Sequence, residues 1–142
     1  MRFRFALPSD AELLAPLNAQ LIRDEGHRNR MSIPQLAERM RGWLSGEYRA
    51  VVFDDDDGVV GYALFRHEPE HIYLRQFFVR PESRRHGIGR TALLWLRSNA
   101  WGPDARVRVD VLVGNKLGQV FWRAVGFNEY CVTLEQEPAS AP

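Results

Sequence analysis

Val79-Arg80-Pro81-Glu82-Ser83-Arg84-Arg85-His86-Gly87-Ile88-Gly89-Arg90 closes a strand-like run and enters an apolar-periodic segment through a basic turn with two glycines. The run before it, Ile72 to Val79, is rich in aromatic and β-branched residues, which suit a pleated surface. After the turn, Ile88, Ala92, Trp95 and Leu96 mark a helix, and Trp101-Gly102-Pro103 stops it. A strand that passes into a helix this way makes an anion site. The first helical turn has N–H groups without intrahelical acceptors and the positive end of the macrodipole, so main chain alone can hold a diphosphate. Gly87 and Gly89 let phosphates approach the backbone and permit positive φ, while Arg80, Arg84, Arg85 and Arg90 supply charge around the rim.

Upstream, Phe3 to Leu7 reads as a first strand. Ser9, with Glu12 three residues on, predicts a capping box and a helix whose Leu14, Leu17 and Leu21 share a face and which stops near Gly26. Ser32 and Gln35 repeat the capping pattern ahead of Leu36, Met40, Trp43 and Leu44, the spacing of one apolar helical stripe. Tyr48 to Phe53 and Val59 to His67 are strand-like, and the Asp-Gly ending of Asp54-Asp55-Asp56-Asp57-Gly58 suits a hairpin between them. These aspartates lack the spaced ligands and closing glutamate of a calcium loop, so no metal site is expected. Downstream, Arg106 to Val113 alternates, with valines on one face and Arg108, Asp110 and Leu112 on the other. Asn115 is placed to cap a last helix, Gly126 to give it a left-handed stop, and Phe127 to Leu134 reads as a final strand. The order is β-α-α-β-β-β-α-β-α-β.

The 142 residues, 45% hydrophobic and 26% charged, fit one globular domain. With no internal repeat and no linker, that domain is placed at 1–136, and 137–142 reads as a disordered tail. Nothing approaches the roughly 18 consecutive apolar residues of a membrane span, and Met1-Arg2-Phe3-Arg4 lacks the apolar run of a signal peptide. A cytoplasmic protein is the expectation. Cys131, the lone cysteine, excludes an internal disulfide and a cysteine-based zinc site, and its apolar setting suits inert packing rather than nucleophilic chemistry. A net charge of +1 gives no field that would call for nucleic acid as a partner.

Two ligand classes compete for the turn, because Gly87 to Ala92 also matches Gly-x-Gly-x-x-Ala, with Asp110 near the distance of a ribose-binding acid. A dinucleotide fingerprint has its first glycine almost at the strand end, whereas seven residues, Arg80 to His86, intervene here. Only 50 residues follow Ala92, too few for a doubly wound nucleotide fold. By contrast, Arg84 to Gly89 resembles the Arg/Gln-x-x-Gly-x-Gly/Ala signature of the GNAT acyltransferase superfamily. Asn115 opening a helix, followed by Phe121-Trp122-Arg123-Ala124-Val125-Gly126-Phe127, is similar to that family's second motif, an asparagine followed downstream by an aromatic pair and a Gly-Phe ending.

The resemblance implies a mixed α/β (α+β) domain, a mostly antiparallel twisted sheet of about six to seven strands with about four helices. It implies acetyl-CoA as cosubstrate, transfer of the acetyl group to an unidentified primary amine, small molecule or peptide, and direct attack within a ternary complex. Cofactor contacts would then fall on the main chain of Phe77, Phe78 and Val79, on Arg84, Arg85, His86, Gly87, Ile88, Gly89 and Arg90, and on Asn115 and Trp122. Asn115 as a plain helix cap is compatible with that role. The amine must lose a proton before attack, and the candidate bases are Asp110, Glu25 and His27; each is equally readable as a solvated or ion-paired residue. Many relatives carry a tyrosine where Trp122 stands, and an indole is no useful acid. Tyr73 or Tyr130 could take its place, and a CoA-binding regulatory module without turnover stays open. In the family the segment between the first two helices sets acceptor choice. Here Asp24 to Met31 has mixed charge, Asp24 and Glu25 suiting a cationic amine, Arg28 and Arg30 a carboxylate-bearing one. Many relatives dimerise, and Trp43, Trp101 and Trp122 would offer aromatic surface for a homodimer if partly exposed.

Overall fold

In a computed structural model that describes residues 1–139, the period-two runs become a five-stranded sheet whose spatial order is the chain order. The elements are β1 (Arg2–Phe5), α1 (Ala11–Glu25), α2 (Ile33–Leu44), β2 (Tyr48–Asp55), β3 (Gly58–His67), β4 (Ile72–Val79), α3 (Ile88–Leu96), β5 (Val107–Val109) and α4 (Lys116–Ala124). Strands β1 to β4 pair antiparallel, and β5 joins β4 in parallel. No helix among the described residues is long and apolar enough to cross a membrane.

The sheet is shorter than the six to seven strands expected. Phe127 to Leu134, read as a final strand, has no ladder partner, and Tyr130, Val132 and Leu134 are 74%, 79% and 89% exposed. Alternation makes a segment suitable for a sheet, but only an available edge makes it a strand. The same limit shortens β5: of Arg106 to Val113 only Val107–Val109 pair, because β4 alone offers them an edge. Of the expected tail 137–142, residues 140–142 lie outside the described residues, and 137–139 carry no regular structure.

Helices α1 and α2 cover one face. Leu14, Leu17, Leu21 and Met40 pack there against Tyr48, Val52, Tyr62, Leu64 and Phe78. On the other face Val51, Phe53, Ala63, Phe65 and Leu74 meet Ala92 and Leu96 of α3, Trp101, and Trp122 of α4. Each large side chain so buried contributes about 1.5–3 kcal/mol relative to exposure. The boundaries follow local chemistry. Ser32 and Gln35 close the capping box of α2, Gly26 ends α1 at φ 75°, and Gly126 follows α4 at φ 99°. At α1 the expected Ser9–Glu12 box is not what forms: Pro8–Asp10 make a 3-10 turn, and the Asp10 carboxylate accepts from Leu7 N–H at 2.7 Å.

A bulge in β4 positions the site. Leu64 faces Gln76 while Phe65 faces Leu74, so Arg75 is an extra residue and the strand's faces exchange across it. Before the bulge Ile72 and Leu74 point to the α3/α4 face; after it Phe77 and Val79 do, and Phe78 turns to α1 and α2. Beside that half of β4, Gly61 is obligatory: a Cβ there would overlap the Phe78 carbonyl oxygen and come within 2.9 Å of the Phe53 ring.

Candidate functional site

Strand β5 pairs with β4 only at Ile72↔Val107, Tyr73↔Arg108 and Leu74↔Val109, after which the two strands part. From Arg75 to Val79 the β5 side of β4 is therefore an open edge. Arg80 N–H donates to Val60 O of β3 at 2.7 Å, and main-chain groups alternate in direction, so Val79 and Phe77 turn their N–H groups to the open side. Phe78, between them, pairs with Tyr62 and turns its main chain into the sheet. Of the three residues expected to contribute main chain, two face the opening.

The edge runs straight into the basic turn. Pro81–Ser83 form a 3-10 turn, Arg85 and Gly87 both take left-handed backbone (φ 67° and 74°), and α3 begins at Ile88. Thr91 N–H is the first to close on α3, donating to Gly87 O at 2.9 Å. The N–H groups of Ile88, Gly89 and Arg90 precede any intrahelical acceptor and point out of the helix start. The two glycines have different duties. A Cβ at Gly87 would meet nothing, so the residue is needed for its φ and leaves space above the turn; a Cβ at Gly89 would sit 2.9 Å from the Phe121 ring. Gly89 is thus what lets α3 approach α4, a packing role that the motif alone does not reveal.

The arginines also divide. Arg80 Nε donates to Val59 O, Arg90 Nη2 to Ala124 O at the end of α4, and Arg84 Nε to Val79 O. Arg84 further pairs with Asp24 at 2.9 Å, tying the end of α1 to the end of β4. Arg85 and His86 are exposed, and the hydrogen bonds of the described residues engage neither side chain. An open cavity of about 630 Å³ lies against the turn on its hairpin side, but Asp55, Asp57 and Glu82 line it with Arg80 and His86. Three carboxylates disfavour a polyanion there, so the face with free N–H groups is the better anion surface.

Asn115 is a helix cap: its Oδ1 accepts from Gly118 N–H at 2.9 Å, and a Cβ on Gly118 would overlap the Asn115 amide. The Asn-x-x-Gly spacing is the signal for that close fit. Trp122 is 8% exposed and packs edge-on to Phe77, Phe121 and Phe127 at 4.9–5.3 Å. It supports β4 from beneath.

The candidate bases fall in two places. Glu25 and His27 lie at the end of α1, their side chains 2.9 Å apart. Burial pushes the Glu25 carboxyl above its ordinary range, against the opposing pull of His27 and Arg84. The buried Tyr62 hydroxyl donates to Gln76 of β4 at 2.7 Å and is raised well above normal by burial and then by the Glu25 charge. Asp110 sits just past β5, where the strands part, and accepts from Tyr73 OH at 3.1 Å; burial, then Asp110, raises that tyrosine. Tyr130 is occupied elsewhere, its OH accepting from Arg108 Nη2 at 3.2 Å.

An extended strand edge that opens into a helix start with free N–H groups, with the half-buried Glu25 carboxylate at the end of α1, can hold a linear amide-bearing ligand with a diphosphate at one end. The family model described as Acetyltransferase (GNAT) family matches residues 18–127. No curated protein matches the sequence. Among solved structures, a mutant BH1408 protein from Bacillus halodurans superposes with a TM-score of 0.81 at 22% identity, covering 98% of this chain and 100% of that one. The aminoglycoside N-acetyltransferase AAC(6')-Iy in complex with CoA gives a TM-score of 0.75 at 15% identity, over 97% of this chain and 95% of that one. A predicted acetyltransferase with acetyl-CoA from Clostridium acetobutylicum also gives 0.75, at 19% identity, over 96% and 95%.

Proposed function

We propose that this chain, which belongs to the GNAT acetyltransferase family, transfers an acetyl group from acetyl-CoA to a primary amine by direct attack in a ternary complex. The observation that carries the reading is the unpaired β4 edge, Arg75 to Val79, continuous with the Arg84–Arg90 turn. An extended pantetheine arm completes that edge through Phe77 and Val79 main chain, and the diphosphate rests on the N–H groups of Gly87 to Arg90, with Arg85 and His86 at the rim. Solved structures of similar fold hold CoA or acetyl-CoA, which supports the choice of ligand.

Chemistry follows from what lines the edge. A primary ammonium has a pKa of about 10 and is no nucleophile until deprotonated. Glu25, its proton affinity raised by burial, takes that proton, and His27 at 2.9 Å steadies the carboxylate. The free amine attacks the thioester carbonyl, and an N–H of the open edge stabilises the tetrahedral oxyanion. Collapse breaks the C–S bond and releases CoA as thiolate, which leaves tolerably with a pKa of about 8.5. Trp122, buried among aromatics, takes no part in protonating it. That substitution favours the second reading, a CoA-binding regulatory module without turnover.

Acetyl-CoA should raise the melting temperature under both readings, because a ligand that binds only the folded state stabilises it by mass action. Release of free thiol across a panel of small amines, amino acids and peptides then separates the enzyme from the binding module. No acetyl-CoA stabilisation would refute both.

A further inference from the structure

The acceptor's charge class can be read from which ionic groups near the open edge are already matched. In the connection between α1 and α2, Asp24 pairs with Arg84, Glu25 with His27, and Arg28 makes a bidentate pair with Glu135 at 2.7–2.8 Å. Of the four charges that left acceptor choice ambiguous in the sequence, Asp24, Glu25 and Arg28 thus have partners, and only Arg30 makes no ion pair among the described residues. Those at the bulge are not. Arg75, the extra residue of β4, stacks on Trp43 with its guanidinium carbon 4.7 Å from the ring centroid, and Arg39 of α2 stacks on the same indole at 4.4 Å. Their hydrogen bonds go to neutral oxygens, Arg75 Nη1 to Tyr48 OH and Arg39 Nη2 to Asn18 Oδ1. Among the described residues, neither has a carboxylate within 4.0 Å. Arg39 Nε is buried with no acceptor at all.

Two like charges held on one indole without a counter-ion are unfavourable, and burial together with Arg75 lowers the pKa of Arg39. An incoming anion at the exposed Arg75 guanidinium and the terminal nitrogens of Arg39 relieves the repulsion, while Arg39 Nε itself stays shut off from solvent. The position is right for an acceptor. With the diphosphate at the Arg84–Arg90 turn, the pantetheine arm runs back along the open edge, and its thioester end comes toward the apex where β4 and β5 part. Arg75 is at that apex, beside Tyr73 and Asp110.

We propose that Arg75 and Arg39 bind an anionic group, carboxylate or phosphate, on the acceptor, so that the substrate is an acidic or zwitterionic amine rather than a polycation. This rests on the acetyl-transfer reading above. The test is titration calorimetry of CoA-saturated protein with matched probes: β-alanine against β-alaninamide for the carboxylate, O-phosphoethanolamine against ethanolamine for the phosphate. One anionic member should bind at least about tenfold more tightly than its partner, the size expected of a charge-assisted guanidinium contact. That advantage should shrink to within about twofold in Arg75→Gln and in Arg39→Gln, and Arg39→Gln, on α2 and outside the β4 edge, should keep its acetyl-CoA affinity. No anionic advantage in the wild type, or an advantage that survives both substitutions, overturns the proposal. Failure of the acetyl-transfer reading shows separately, as absence of acetyl-CoA stabilisation; the same titrations without CoA then still decide whether the arginine pair binds anions.

Discussion

Gly89→Ala tests whether the turn's second glycine serves packing or ligand approach. The added Cβ lies 2.9 Å from two atoms of the Phe121 ring and 3.6 Å from Phe77. That ring is held by its neighbours: it stacks on Phe77 at 6.0 Å and meets Trp122 edge-on at 5.0 Å. Overpacking of this kind costs about 1–3 kcal/mol, and the better helix propensity of alanine returns up to about 1. From the middle of the overpacking range, about 2 kcal/mol, the net loss is about 1–2 kcal/mol, or roughly 3–6 °C in Tm at about 3 °C per kcal/mol for a chain of this size. Denaturant titration of Gly89→Ala, Phe121→Leu and the double variant should give a coupling energy of about 1 kcal/mol, the double being less destabilised than the sum. Gly87→Ala is the control. It meets open space at φ 74°, costs about 1–2 kcal/mol in backbone strain, and should show no coupling to Phe121. Because the Gly89 Cβ points into Phe121, acetyl-CoA should still raise the Tm of Gly89→Ala. Zero coupling, or a Gly89→Ala protein as stable as wild type, would refute this account of the glycine.

Gly87→Glu should abolish the acetyl-CoA melting shift while the protein stays folded, since it places a carboxylate over the N–H cradle; an unimpaired shift would remove the diphosphate from this turn. Glu25→Gln should lower kcat and flatten its rise with pH, whereas an unchanged profile with a flattened one in Asp110→Asn would move the base to Asp110. Because the folded-state pKa of Glu25 is raised, protonated Glu25 stabilises the fold below its unfolded value near 4.5, and that contribution is lost as pH rises through the raised value. Wild type should therefore lose stability relative to Glu25→Gln as pH climbs from about 4.5 toward neutrality, as chemical denaturation across that range would show. Asn115→Ala should cost about 1 kcal/mol through loss of the α4 cap, and Asn115→Asp should restore most of it, because only the side-chain oxygen is used.

Local chemistry was legible where it is decided locally. The capping box at Ser32, the stop at Gly26, the Asp-Gly hairpin, the Asn115 cap and the left-handed Gly87 all rest on contacts within a few residues, and each is found where the sequence places it. The glycine turn after β4 and the aromatic Gly-Phe ending carried the family assignment for the same reason. The sequence by itself thus determined the element order up to α4, the family and the left-handed glycine turn that opens α3, because hydrophobic period, caps and positive φ are properties of short windows of chain.

Tertiary structure decided the rest. That β4 and β5 part after Leu74, that Arg75 is an extra residue which exchanges the faces of β4, and that Phe127 to Leu134 finds no partner are facts about pairing between distant segments. So are the Asp24–Arg84 tie, the burial that raises Glu25, the contact that explains Gly89, and the two arginines left without a counter-ion on Trp43. A residue type states what a group can donate, accept or bury. Which groups are already matched, and which remain free to meet a ligand, is settled only when the chain has brought its distant parts together.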